Sequence, residues 1–214
     1  MKIAAINGSP KTAGISALII KQMEKLLDER IKTYHAMRLV RAETPQEAIA
    51  GMLDADILLI VYPLYVDSLP SPLIELLTRL ESAARRGAAA PQVFAIVNAA
   101  FESAQTTLAL EMIEHFTYRA GLPWGYGVGI GAGSMLYNAG ENWGKGLASD
   151  IHYALSDMAA AIKEKRRGQN IYVAPKFPRF LYRAVANIGF WLGAKRNGVS
   201  NLRARPYINQ GESL

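Results

Sequence analysis

The chain has 214 residues, half of them apolar and a fifth charged, which suits one α/β domain with an appendage and leaves ample material for a core. It contains no cysteine, so disulfides, iron–sulfur clusters, thiolate zinc sites and a cysteine nucleophile are excluded. The net charge of +6 is uneven: residues 1–150 hold 13 Lys and Arg against 15 Asp and Glu, a balance of −2, whereas residues 151–214 hold 11 against 3, a balance of +8. A basic C-terminal third points to an anionic partner or, as the preferred reading, to a solvated basic surface. The first apolar run is far too short for a signal peptide, and the longest uncharged stretch, Ala120 to Gly140, is too rich in glycine for a membrane helix. A cytoplasmic protein is expected.

Strand and helix patterns alternate along the chain. "KIAAIN" has the continuous apolar run of a strand buried on both faces. Residues 15–30 place Leu18, Ile19, Met23, Leu26 and Leu27 on one helical face. "KTYHAM" reads as a second strand. In "TPQEAIAGML", Thr44 is the expected N-cap, Pro45 the first helical residue, and Glu47 completes a capping box. "DILLIVYP" is the most apolar strand and is placed centrally. A helix over "SPLIELLTRLESAARR" follows, then a fourth strand, "PQVFAIVNA". "ESAQTTLALEMIEHFTYRAG" is a helix closed by Gly121, "WGYGVGIGAG" a fifth strand, and "WGKGLASDIHYALSDMAAAIKEKRRG" a long helix ending at Gly168.

Five strands joined by helices argue for a parallel doubly wound sheet. The tail adds "QNIYVAP" and an amphipathic helix from Phe177 to Ala194. Glycine recurs at 125, 127, 129, 131 and 133, which leaves one face of the fifth strand bare. Helix packing explains most of that run. Close approach of a ligand stays open for Gly131 and Gly133.

The loop "NGSPKTAGIS" fits neither common nucleotide fingerprint. After Gly8 the next glycine is Gly14, and Gly14 is followed by Ile15 and Ser16 rather than by Lys and Ser or Thr. What remains is a hydroxyl-rich loop at a helix start. Ser9, Thr12 and Ser16 offer O–H groups, Lys11 a charge, and the first helical N–H groups point outward. This suits a compact phosphate monoester, and it equally suits a plain helix cap. The segment "YPLYVDSLPSPLIELL" after the third strand weighs for the phosphate. In sheet order 2-1-3-4-5 the loops after strands one and three border one crevice. Pro63, Leu64, Tyr65 and Val66 there form an apolar wall with free backbone N–H groups, suited to a flat ring.

The sequence resembles the flavodoxin-like NAD(P)H-dependent FMN reductases and NAD(P)H quinone oxidoreductases. "INGSPKTAGIS" is similar to that family's phosphate loop, "YPLYVDSLPSPLIELLTRL" to its ring loop, and "VNAAFESAQT" to a segment of one flavodoxin-like subgroup. The resemblance implies that Ser9, Lys11 and Ser16 bind phosphate, with Ile15 contributing backbone. It implies that Pro63, Leu64, Tyr65, Val66 and Asp67 line the isoalloxazine, and that Asn98, Ala99 and Phe101 border its other edge with Glu102 close by. Three residues depart from the pattern. Ile15 replaces a polar residue and Tyr62 a threonine. Ala100 replaces a glycine, so the backbone there must avoid positive φ.

Other candidates carry less. His35, His115 and His152 match no metal spacing, and no metal site is expected. "GAGSM" lacks the second glycine of a nucleophile elbow. Tyr65 fits a ring-stacking or gating role and a plain wall residue equally. For Trp124, Tyr126 and Tyr137, core packing is preferred over a substrate pocket.

The resulting expectation is a flavodoxin-like α/β domain over residues 1–168, with five parallel strands, and a basic C-terminal helical extension over 169–214 packed on the domain or a second subunit. Its expected activity is an oxidoreductase that takes hydride from NAD(P)H onto FMN and passes electrons to a small acceptor: a quinone, a nitro or azo compound, or free flavin. The cofactor carries that chemistry, so no catalytic side chain is named. A homodimer is expected and nucleic acid is not. Contact of residues 177–194 with a membrane surface is the alternative for the tail. The alternatives for the whole chain are a flavodoxin-type electron carrier, against which the pI near 9.5 counts, and a flavin-free interaction protein.

Overall fold

A computed structural model describes residues 1–42, 45–87, 90–138, 143–176 and 179–199. In chain order it contains β1 (Ile3–Asn7), α1 (Ile15–Leu27), β2 (Ile31–His35), α2 (Ala36–Val40), α3 (Gln46–Leu53), β3 (Ile57–Pro63), α4 (Ser71–Ala84), β4 (Gln92–Asn98), α5 (Thr107–Ala120), β5 (Trp124–Ile130), α6 (Ser149–Glu164), β6 (Ile171–Val173) and α7 (Arg179–Arg196). Short 3₁₀ turns at Ser103–Thr106, Gly133–Asn138 and Gly146–Ala148 join them. By contacts the chain forms two compact units, Met1–Lys176 and Phe177–Leu214.

The first unit is a parallel six-stranded sheet of order β2-β1-β3-β4-β5-β6. Its first five strands follow the expected order, and the sixth is additional. β6 is only three residues long, too short to show a strand period, and is recruited because Val128, Gly129 and Ile130 of β5 present an open edge to Ile171, Tyr172 and Val173. Asn170 Oδ1 starts the pairing by accepting the Gly127 N–H at 2.7 Å.

Hydrophobic pattern decides the layers. β3 is solvent-free from Ile57 to Tyr62, as a central strand covered on both faces must be. On one face, α1 and α6 pack Ile19, Met23, Leu155, Met158 and Ile162 against alternate strand residues. On the other, α3, α4 and α5 bury Met52, Leu73, Leu76, Leu110 and Ile113. Each such side chain contributes about 1.5–3 kcal/mol when removed from water.

The helix ends differ in detail from expectation. Pro45 is the N-cap of α3 rather than its first helical residue, and Thr44 lies outside the described residues. A capping box forms instead at Glu102 and Gln105, ahead of α5. Gly121 closes α5 at φ 71°, as expected. The last helix of the unit ends earlier than Gly168, because Lys165 takes the left-handed cap and Arg166 N–H reaches Ala161 O at 2.8 Å. Gly168 serves the sheet, donating its N–H to Gly125 O.

The glycine run is a packing device. Leu110 of α5 occupies the space beside Gly127, and Thr106 that beside Gly129. Gly131 abuts the backbone of Phe101 to Ser103, and Gly133 lies against Asn98 and Ala99. The two positions left open thus touch the loop after β4.

In the second unit, α7 is closed by Gly198 at φ 77°, with Val199 N–H on Ala194 O. Ile188, Phe190, Trp191 and Leu192 are exposed, and Lys195 Nζ sits 5.1 Å from the centre of the Trp191 ring. Phe177, the expected start of this helix, lies outside the described residues. Among the described residues, no helix is long and apolar enough to cross a membrane.

Candidate functional site

The expected residues converge on the carboxyl ends of β1, β3 and β4, where the chain leaves the sheet. Asn7, the last residue of β1, is fully buried and its Oδ1 accepts the Ser9 N–H at 3.0 Å. Its Nδ2 is buried without a partner. Ser9 Oγ in turn accepts the Lys11 N–H at 3.1 Å, which curls the loop back toward the start of α1. Gly8 donates its N–H to Val61 O at 2.8 Å, anchoring the loop to β3.

The amino end of α1 has no side-chain cap, so its first N–H groups stay available to an outside acceptor. Gly14, its N-cap, has an extended backbone (φ −165°) that any residue could adopt. A β-carbon there would stand 3.7 Å from the Tyr137 hydroxyl, 3.8 Å from the Lys11 β-carbon and 4.0 Å from Ser9 Oγ. The glycine therefore leaves a space ringed by a serine hydroxyl, the base of a lysine side chain and a tyrosine hydroxyl. Ile15 is buried in the core, and only its backbone faces the loop, which accounts for an apolar residue at this place.

Ser16 differs from Ser9. It is 1% exposed, and its hydroxyl accepts a hydrogen bond from Asn98 Nδ2 at 3.3 Å. The same Asn98 amide donates to Tyr62 O at 3.0 Å, tying β4 to both β3 and α1. Asn98 is thus occupied in holding the loops together. Tyr62, in place of threonine, is buried with its hydroxyl on Ala109 O at 2.9 Å, and burial pushes its pKa well up.

The wall after β3 is a tight turn. Tyr65 and Ser68 exchange both backbone hydrogen bonds, at 3.0 and 3.1 Å, while Val66 and Asp67 between them have φ of 50° and 55°. Leu64 N–H is bonded to Asn98 O at 2.9 Å. The N–H groups of Leu64 and Tyr65, expected to be free, are therefore paired, and those of Val66 and Asp67 stand at the tip. Pro63 and Leu64 are half-buried, Tyr65 is 45% exposed, and Val66 is 99% exposed.

On the other side, Ala99 is buried and gives its N–H to Ile130 O. Phe101 is half exposed, and Ala132 N–H bonds its carbonyl. Ala100 has no positive φ, as its replacement of glycine required. Glu102 caps the turn before α5. Among the aromatic residues after β4, Tyr126 is core, bonded to Asp157, and Trp124 is half-buried. Tyr137 is not core: it is 58% exposed and belongs to the rim of the Gly14 space. Asn7 and Tyr137 are the site residues that sequence reasoning did not assign. Asn7 was visible only as a polar end to an apolar strand, and nothing local could bring residue 137 to residue 14.

Comparison with known proteins bears on the fold and the family. Among curated proteins, none matches the chain. Among solved structures, an NADH:FMN oxidoreductase (EMOB) in its apo form matches with a TM-score of 0.57 at 18% identity, over 78% of this chain and 90% of that one. A quinone reductase described as putative, from Klebsiella pneumoniae, matches with a TM-score of 0.55 at 11% identity, over 78% and 86%. A flavodoxin, WrbA-like protein from Agrobacterium tumefaciens matches with a TM-score of 0.52 at 9% identity, over 77% and 99%. These likenesses show the flavodoxin-like fold. The NADPH-dependent FMN reductase family matches residues 1–123, the stretch that carries both loops and the Asn98 tie between them. The chain belongs to that family of oxidoreductases, whose members use FMN and NAD(P)H.

Proposed function

We propose that this chain holds FMN at the carboxyl edge of its sheet and uses it to move electrons from NAD(P)H to a small acceptor, a quinone, a nitro or azo compound, or free flavin. The observation that carries this reading is the side-chain-free space at Gly14, bordered by Ser9 Oγ and Lys11 at the uncapped start of a thirteen-residue helix. A phosphate monoester matches that set: hydroxyl and backbone donors, one cation and a helix amino end. The Asn7 Nδ2, buried and without a partner, is a further donor facing no protein acceptor.

Bound FMN would supply the two-electron exchange between the nicotinamide and the acceptor. The protein's part is position. Ser9 and Lys11 hold the phosphate, and Ser16 adds its hydroxyl proton while its oxygen stays on Asn98. Tyr65, Val66 and Asp67 present an exposed tip against which a planar ring can lie, with Ala99 and Phe101 opposite. No side chain is assigned a proton transfer.

Absorbance of the protein reconstituted with FMN, followed by oxygen-free mixing with NADPH or NADH, tests the reading. Bleaching of the flavin before any acceptor is added supports the reductase. Reduction only by a separate reductase protein would make it an electron carrier, and absence of a bound-flavin spectrum an interaction protein. The Ser9→Ala, Ser16→Ala variant should bind FMN at least roughly tenfold more weakly, each lost bond to a charged acceptor being worth about 1.5–3 kcal/mol, with riboflavin binding little changed. Equal loss for both ligands would remove the phosphate assignment. We further read α7 as the surface that joins two copies, because it carries four exposed large apolar residues in succession from Ile188 to Leu192, interrupted only by Gly189.

A further inference from the structure

We propose that Tyr137, from the turn after β5, closes the phosphate site, donating its hydroxyl across the Gly14 space to the same anion that Ser9 and Lys11 hold. The inference rests on the FMN reading above and adds a residue outside the family-matched stretch, residues 1–123. Four observations support it. The Tyr137 hydroxyl stands 3.7 Å from the empty β-carbon position of Gly14, and Ser9 Oγ stands 4.0 Å from that same point. Gly14 is not demanded by its backbone, which is extended, nor by a clash, since each of these contacts is of ordinary length. What the missing methyl preserves is room between two hydroxyls. Asn7, whose Oδ1 takes the N–H of that same Ser9, is fully buried and its Nδ2 has no partner.

The placement of Tyr137 follows from its neighbours. Leu136 is buried in the α1–α6 core together with Ile15 and Ile19, so the Gly133–Asn138 turn is pinned to the start of α1. Met135 N–H on Ala132 O holds the turn, and Gly133 N–H on Ala99 O ties it to the loop after β4. The phenol is left 58% exposed, directed at the loop rather than into the core. A hydroxyl so placed binds a phosphate and has nothing to offer riboflavin at that point. An anion held by Ser9, Lys11 and Tyr137 bridges the loops after β1 and β5, and so links cofactor capture to the rim of the ring site.

The test compares FMN and riboflavin affinities, by fluorescence quenching, in the full chain and in Tyr137→Phe and Gly14→Ala. Both variants should lose roughly tenfold or more in FMN affinity, the scale of one hydrogen bond to a charged acceptor, with riboflavin affinity and the thermal midpoint unchanged. Hydrogen exchange gives a second readout. FMN should protect amides 133–138 in the parent chain, and protect them less in Tyr137→Phe. A parent chain that prefers FMN over riboflavin while Tyr137→Phe keeps the full preference would overturn the role of Tyr137 alone. A parent chain with no such preference would overturn the phosphate reading itself.

Discussion

At the scale of single residues, strain and desolvation gather at the strand ends. Val66 is β-branched, almost wholly exposed, and held at φ 50°, a region that costs a non-glycine residue about 1–2 kcal/mol. It buries nothing in return, so the turn and not the valine's own packing holds this conformation. Val66→Gly should raise stability by roughly 0.5–1 kcal/mol in urea unfolding. A lower midpoint would show that the valine makes contacts which outweigh its backbone. Tyr62 has the opposite character. Its buried hydroxyl bonds Ala109 O, and Tyr62→Phe should lose about 1 kcal/mol while leaving FMN affinity unchanged. His35 lies beside Asn7 in register, with Nδ1 buried and unpaired. Burial, and then the nearby Arg38, hold its pKa below the ordinary 6.5. The unfolded chain therefore binds more protons in that range. The neutral histidine's full stability is present above pH 6.5 and declines as pH falls below it. His35→Gln should flatten the fall of the urea midpoint between about pH 7.5 and 5.5, and parallel curves for the two proteins would contradict this.

At the scale of elements, the fifth strand shows how far pattern carries. A glycine at every second position predicts a bare face and close packing, and that is what Leu110 and Thr106 make of Gly127 and Gly129. Pattern cannot say that Gly131 meets backbone rather than a side chain. A methyl at Gly131 would overlap the N–H of Ser103, which sits in a capped turn and cannot rotate aside. Gly121, by contrast, has open space around it and needs glycine only for φ 71°. Gly131→Ala should therefore destabilise by more than about 2 kcal/mol and loosen the loop after β4, whereas Gly121→Ala should cost about 1 kcal/mol. Chemical unfolding of the two variants side by side decides it, and the reverse order would refute the backbone contact. The missed sixth strand belongs to this scale as well. Three residues carry too little pattern, and β6 exists because β5 offers it an edge.

At the scale of the whole molecule, the first unit closes at Lys176, whose N–H bonds Leu147 O and whose ammonium pairs with Asp150 at 2.9 Å. A chain ending at Lys176 keeps all six strands and both cores. It should fold and retain FMN affinity, while sedimentation should show the full chain as a dimer and the shortened one as a monomer. A full chain that is monomeric, yet binds anionic vesicles where the shortened one does not, would assign the exposed α7 residues to a lipid surface instead.

Local order was written in the sequence. The continuous apolar runs of β1, β3 and β4, the 3.6-residue spacing of α1 and α4, and the hydroxyl-rich turn at Ser9 all follow from interactions within a few neighbouring residues. From these came the fold class, the parallel order of five strands and the position of the hydroxyl-rich loop before α1. What only the tertiary structure decided are relations between residues distant in the chain. Asn98 spans Ser16 and Tyr62, and its carbonyl takes the N–H of Leu64. Tyr137 reaches the space at Gly14 only because the β5 turn packs against α1. Each is a long-range contact closed by the sheet, and no local pattern of polarity or spacing encodes which two loops the closed sheet will bring together.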